Sequence, residues 1–210
     1  MSYTMTYSSL LVDLRRYLER GFTVESDAIV YEQLPRLITL GERRIARELK
    51  IEGFIQPVTT VLQPGVAVYM KPDRWRGTIS MMVDNVAIFA RSYEYIRSYW
   101  PNEAQTGTPG YYADYDYQHW LIAPTPATAQ TLEIIYYQQP AFLGDDFQTN
   151  WLTQYAPDLL LYAALLEATP FLKSDERIQV WQALYDRASS AINNEDLKRI
   201  MDRTANRSAA

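Results

Sequence analysis

The sequence predicts an α+β protein: an antiparallel helical bundle with a small antiparallel β domain inserted between its second and third long helices. Three observations carry this. Apolar residues recur at helical spacing at both ends of the 210-residue chain. The middle switches to short β-like runs separated by turn residues. Finally, 159–166 is apolar almost all round, as the buried centre of a bundle should be. We place the divisions at 1–53 for the N-terminal helices, 54–148 for the β domain, 149–193 for the C-terminal helices and 194–210 for a terminal helix or tail.

In order along the chain, "YSSLLVDLRRYLERG" sets Leu10, Leu14, Tyr17 and Leu18 on one face, with Gly21 as its stop. A second helix runs through "LPRLITLGERRIARELK", with Leu34, Leu37, Ile38, Ile45 and Leu49 inward. Pro35 either occupies its first turn or kinks a longer helix beginning near Asp27. Glu42, Arg43, Arg44, Arg47 and Glu48 fall on its wet face or on a partner surface. From Gly53 the period shortens. "IQPVTTVLQPG" and "VAVYMKP" part at Pro64-Gly65, and "RGTISMMVD" and "NVAIFA" part at Asp84-Asn85. "SYEYIRSYW" reads as a short helix with Tyr95, Tyr99 and Trp100 on its apolar side, and "TLEIIYYQQP" as a strand. Helix returns at Asn150, with Pro157 near a start. Ser174 caps the last helix, where Asp175 and Glu176 suit its positive end. Ile178, Trp181, Tyr185, Ala188 and Ile192 form its inward stripe, and Asn193-Asn194 makes a polar break.

Composition narrows the function. The chain has no cysteine, which removes disulfides, thiol nucleophiles and thiolate metal sites and suits a reducing cytoplasm. A net charge of −5 argues against a basic nucleic-acid binder. Tyrosine is abundant, with 17 copies, and glycine scarce, with 8, a balance suited to extended contact surfaces. The opening segment lacks a signal-peptide pattern, and the longest apolar run is far short of a membrane span. We expect a soluble cytoplasmic product with no membrane partner.

The densest chemistry lies in "GTPGYYADYDYQHWLIAP", residues 107–124. Asp114 and Asp116 share a parity, so in one continuous strand they would face one cavity as a catalytic pair. The competing reading is a hairpin, with "GYY" entering, "HWLIAP" leaving and the aspartates opening its turn. The hairpin is favoured, because no other group nearby completes a site. His119 is the only histidine and has no nucleophile partner in a known context. The tyrosines could form a stacking platform, but between Gly107 and Ala141 no lysine or arginine accompanies them. Phosphate-loop motifs are absent. The reading is no catalytic residue, no cofactor and no metal.

Taken together, "RRIARELK" (43–50), "RSYEYIRSYWP" (91–101), "GTPGYYADYDYQHWLIAPTP" (107–126) and "TNWLTQYAPDLLLYAALLEATPFLKSDERI" (149–178) resemble one family. It is that of the head–tail adaptor, or connector, proteins of tailed bacteriophages, particularly short-tailed ones. The similarity spans roughly residues 7–203, and its signal is the ordered set of segments. The resemblance implies a structural virion protein at the neck, made in the host cytoplasm. Such adaptors form a ring, expected to be a dodecamer, beneath the portal protein; it extends the DNA channel and offers a platform to the tail or nozzle. Packaged DNA would pass without sequence-specific binding. A closed ring needs heterologous contacts; Arg43, Arg44 and Arg47 are candidates for the inter-subunit face, with a solvated helix face as the equal alternative. In 194–210, Leu197, Ile200 and Met201 form one helical stripe, and Lys198, Arg199, Arg203 and Arg207 add a basic bias. This stripe is the candidate portal anchor, with Arg199 and Arg203 supporting attachment; the plainer reading is a frayed helix end. Two other classes stay open: a carbohydrate-active hydrolase component using Asp114 and Asp116, and a tail or receptor-binding module using the tyrosine-rich β domain.

Overall fold

A computed structural model describes residues 4–172 and 176–207, with side chains described as far as Glu195. Two units emerge. One holds the residues up to Gly53 and those from Pro140 onward, the other Phe54–Gln139.

In the first unit, α1 (Tyr7–Leu18) starts at a reciprocal Thr6/Ser9 capping box. It ends at Glu19, whose φ of 56° makes the left-handed cap expected of a glycine. The stop therefore comes two residues before Gly21, which is itself left-handed at 67°. Helix α2 (Val24–Glu48) includes Pro35, and its backbone departs from helical geometry at Asp27. The Asp27 carboxylate accepts the Val30 N–H at 3.2 Å, so Asp27 acts as an internal N-cap. This matches the longer-helix alternative. Further on come α4 (Trp151–Tyr155), α5 (Pro157–Glu167) and α6 (Arg177–Arg207). Asn150 caps α4 through Thr153, and Pro157 begins α5 at the position where its missing N–H is not needed.

Seven residues of α5, from Leu159 to Leu166, are buried. It packs against α1, α2, α4 and α6. Gly41 of α2 permits a close approach to α5: a Cβ there would lie 2.9 Å from the Ala164 backbone nitrogen. Trp181, Tyr185 and Ala188 of α6 are buried as their spacing predicts, while Ile178 and Ile192 are half-buried. The expected break at Asn193-Asn194 is absent, since α6 runs through it. An asparagine inside a helix costs only up to ~0.7 kcal/mol relative to alanine, and the residues that follow are good helix formers. The Ser174 and Asp175 positions lie outside the described residues.

The second unit is built on a curled seven-stranded sheet in the order β1-β9-β3-β4-β6-β7-β2. Its strands are β1 (Ile55–Leu62), β2 (Val68–Met70), β3 (Trp75–Val83), β4 (Val86–Ala90), β6 (Tyr111–Asp114), β7 (His119–Ala123) and β9 (Gln130–Gln138). A separate parallel pair joins β5 (Thr106–Gly107) to β8 (Thr125–Pro126). Asp84 and Asn85, with φ of 47° and 65°, make the tight turn between β3 and β4. Leu62, Met81, Ile88, Trp120, Ile122 and Ile134 share one interior. The sheet departs from the all-antiparallel expectation at one joint, where β4 and β6 are parallel. Helix α3 (Tyr93–Tyr99) lies between them in the chain and reverses the direction of entry, as a crossover must.

Candidate interaction surfaces

Residues 107–124 form the antiparallel hairpin β6–β7, with Tyr111 opposite Ala123 and Asp114 opposite Trp120. The two aspartates part at its tip. Asp114 ends β6 and pairs with Lys71 Nζ at 2.6 Å. Asp116 lies in the turn, where its carboxylate accepts the Gln118 and His119 backbone N–H groups at 2.7 Å each. The His119 ring Nδ1 lies 2.9 Å from both its oxygens. The His119 ring, followed by those amides, holds the Asp116 carboxyl below the usual carboxylate range. Asp116 is thus engaged as the acceptor that closes the turn. Both acids shape the hairpin.

Lys71 is the hub of this region. Its side chain is only 4% exposed, its ammonium donates to the Asp116 carbonyl at 3.0 Å, and it lies 3.9 Å from the centre of the Trp75 ring. Trp75 in turn meets Trp120 edge-on. A buried cation needs partners to offset desolvation, and here a carboxylate, a carbonyl and a ring face supply them. A cavity of about 210 Å³ adjoins, walled by Lys71, Arg74, Trp75 and Tyr117.

The tyrosines pack in chains. Tyr95 meets Tyr99 and Tyr111, Trp100 meets Tyr111, and Tyr93 meets Tyr115. The absence of basic residues within 107–141 misleads, because the fold brings cations from elsewhere. Arg91 lies over Tyr111, and within its own segment over Tyr95, where Arg97 also lies over Tyr93. Arg97 is also paired with Glu103. The fully buried residue of α3 is Ile96, with Tyr95 and Trp100 half-buried against the same core as expected, while Tyr99 is exposed.

On α2 the arginine cluster separates into two roles. Arg44 is half-buried and joined to Glu48 at 3.2 Å and Glu167 at 3.1 Å. Glu48 also accepts a short hydrogen bond from the Tyr185 hydroxyl, and burial followed by that bond pushes the Tyr185 pKa up. Arg43 and Arg47 are exposed. Arg43 rests on the Phe142 ring, and Arg47 Nε donates to the Arg43 carbonyl.

Glu42, expected on the wet face, is fully buried. It sits at the border of the apolar arc, one turn after Ile38, and its partners are about a hundred residues away. It accepts Asn150 Nδ2 at 2.7 Å and the Leu143 N–H at 3.2–3.3 Å. Desolvation outweighs these bonds and raises its pKa to about 7. The only local signal was an acid beside an inward stripe. Toward the C-terminus, Leu197, Arg199, Ile200, Met201 and Arg203 continue the α6 backbone helix; their side chains lie outside the described ones.

Among the described residues, no helix is long and apolar enough to cross a membrane, and no group of three or more His, Asp or Glu could hold a metal ion. No curated protein matches the chain. The sequence model described as "SU10 adaptor protein" matches residues 5–209. This agrees with the resemblance carried by the arginine, tyrosine and leucine-rich segments. With that match running nearly from end to end, the chain belongs to the SU10 adaptor protein family, a family of phage head–tail adaptors.

Proposed function

We propose that this phage adaptor protein assembles as a ring, expected to be a dodecamer, beneath the portal at the neck of the virion. There it extends the DNA channel and presents a platform to the tail or nozzle. The family match over residues 5–209 carries the reading. The organisation in two units supports it, since one can mediate lateral contacts while the other is presented to a further component. The role is structural rather than enzymatic. Asp114 and Asp116, the best catalytic candidates in the sequence, are engaged by Lys71 and by the hairpin turn.

Ring closure requires one face of each subunit to meet a different face of the next. Weak lateral contacts suffice if the portal also holds each subunit, because the second contact is then effectively intramolecular. The test is electron microscopy with light scattering on the purified protein, alone and mixed with portal. Twelve-fold rings capping the portal are expected. Persistent monomers that leave the portal bare would overturn the proposal.

A further inference from the structure

Although the protein is acidic overall, one helix face carries a row of cations. Arg36, Arg43 and Arg47 stand at i, i+7 and i+11 of α2, within roughly 40° of one another around the helix and along roughly 17 Å of its axis. Lys50 follows just beyond the helix end. All four are exposed. Among the described residues none of the four makes an ion pair, whereas Arg44 beside them makes two. Two of the guanidinium groups are already oriented: Arg43 by the Phe142 ring at 5.1 Å, Arg47 by the Arg43 carbonyl at 3.2 Å. The acid on this face is Glu32, at its N-terminal end, one turn before Arg36.

A row of like charges this close together is self-repelling, and in a protein with 25 acids and 20 basic residues it is offset on its own face by Glu32 at one end. The chemistry that matches it is a linear polyanion. Duplex DNA offers one negative charge per about 1.7 Å of axis, so several phosphates fall within the reach of the row. A neighbouring copy of this chain fits less well. The acids of the helical unit whose exposure is described are mostly scattered, with Asp145 and Asp146 an adjacent exposed pair.

We propose that Arg36, Arg43, Arg47 and Lys50 form a phosphate-tracking stripe for duplex DNA. The stripe binds backbone and reads no bases. The four contacts are few enough that DNA can slide past, and the acidic remainder of the molecule keeps it from settling elsewhere. This inference rests on the channel reading above only for the presence of DNA; the stripe's affinity is a property of the chain itself.

The test uses purified full-length protein and a fluorescent 20-base-pair duplex, with binding followed as salt rises from 50 to 200 mM. Each phosphate contact contributes ~0.9 to the slope of log K against log salt, so four give about −3.6, or about a hundredfold loss over that range. R36Q/R43Q/R47Q should lower the slope to about −0.9 with an unchanged thermal midpoint. R16Q/R76Q/R187Q, which removes the same charge from other exposed sites, should leave the slope near the wild-type value. Equal slopes for the two variants, or no binding by wild type at 50 mM salt, would overturn the proposal. So would an R36Q/R43Q/R47Q protein that keeps its DNA slope but loses self-association by light scattering, because the stripe would then serve a neighbouring subunit. Ring formation on the portal is read separately by microscopy, so either idea can fail without the other.

Discussion

Glu42 shows how far a single side chain can depart from its sequence neighbourhood. On α2 it follows an apolar stripe and precedes two arginines, yet it turns inward and holds the Asn150 side chain and the Leu143 amide. Its pKa is raised from 4.5 to about 7, so between those values the folded state binds a proton that the unfolded chain has released. Stability from this group is therefore greatest below about pH 4.5, falls as pH rises toward 7, and is flat above it. A shift of this size corresponds to about 3 kcal/mol. Glu42→Gln carries no charge at any pH. Thermal melts at pH 4.5 and 7.5 should show the variant gaining several degrees relative to wild type at the higher pH. A constant difference between the two proteins would refute the raised pKa. Tyr7, the titratable group coupled to Glu42, is common to both proteins and cancels in the comparison.

Among the elements, α2 and α5 meet with little tolerance. Gly41 meets the Ala163–Ala164 backbone, where an added Cβ would lie 2.9–3.2 Å from main-chain atoms. A backbone cannot step aside as a flexible side chain can. Gly41→Ala gains about 1 kcal/mol of helix propensity but forces the helices apart, and overpacking of this kind costs ~1–3 kcal/mol. We expect a net loss, seen as a thermal midpoint lowered by roughly 2–4 °C. A midpoint equal to or above that of wild type would mean that the helix pair has slack. The hairpin β6–β7 illustrates the opposite case, in which local chemistry is enough. An aspartate that accepts amides two and three residues on sets its turn by local bonds, and Lys71 then adds a bond to the Asp116 carbonyl from outside.

At the scale of the molecule, α6 extends well past Ala188, the last buried residue among those whose side chains are described. Trp181, Tyr185 and Ala188 are buried, whereas 193–195 are exposed, and the backbone continues as helix to Arg207. Terminal segments contribute little to stability unless they dock on the rest of the fold. We propose that Leu197, Ile200 and Met201, with Arg199 and Arg203, anchor the adaptor to the portal. A chain ending at Asn193 should melt within a degree or two of wild type yet fail to cosediment with portal. Normal cosedimentation would place the anchor elsewhere, and a large drop in melting temperature would show the segment to be part of the fold.

The mixed fold class, the helices and strands, the tyrosine-rich hairpin and the adaptor family were legible in the chain, because each rests on local signals. Periodicity marks faces, capping residues and Pro, Gly or Asn-rich pairs mark ends, and an ordered set of segments marks a family. Tertiary structure decided what depends on distant groups. It buried Glu42 against Asn150 and Leu143, tied Asp114 to Lys71, and brought Arg91 onto Tyr111, whose own stretch contains no cation. It also divided three neighbouring arginines into one paired inside the helical unit and two facing out. Spacing along a helix specifies the direction in which a side chain points, but whether a charge there is satisfied, buried or free depends on groups delivered by other parts of the chain.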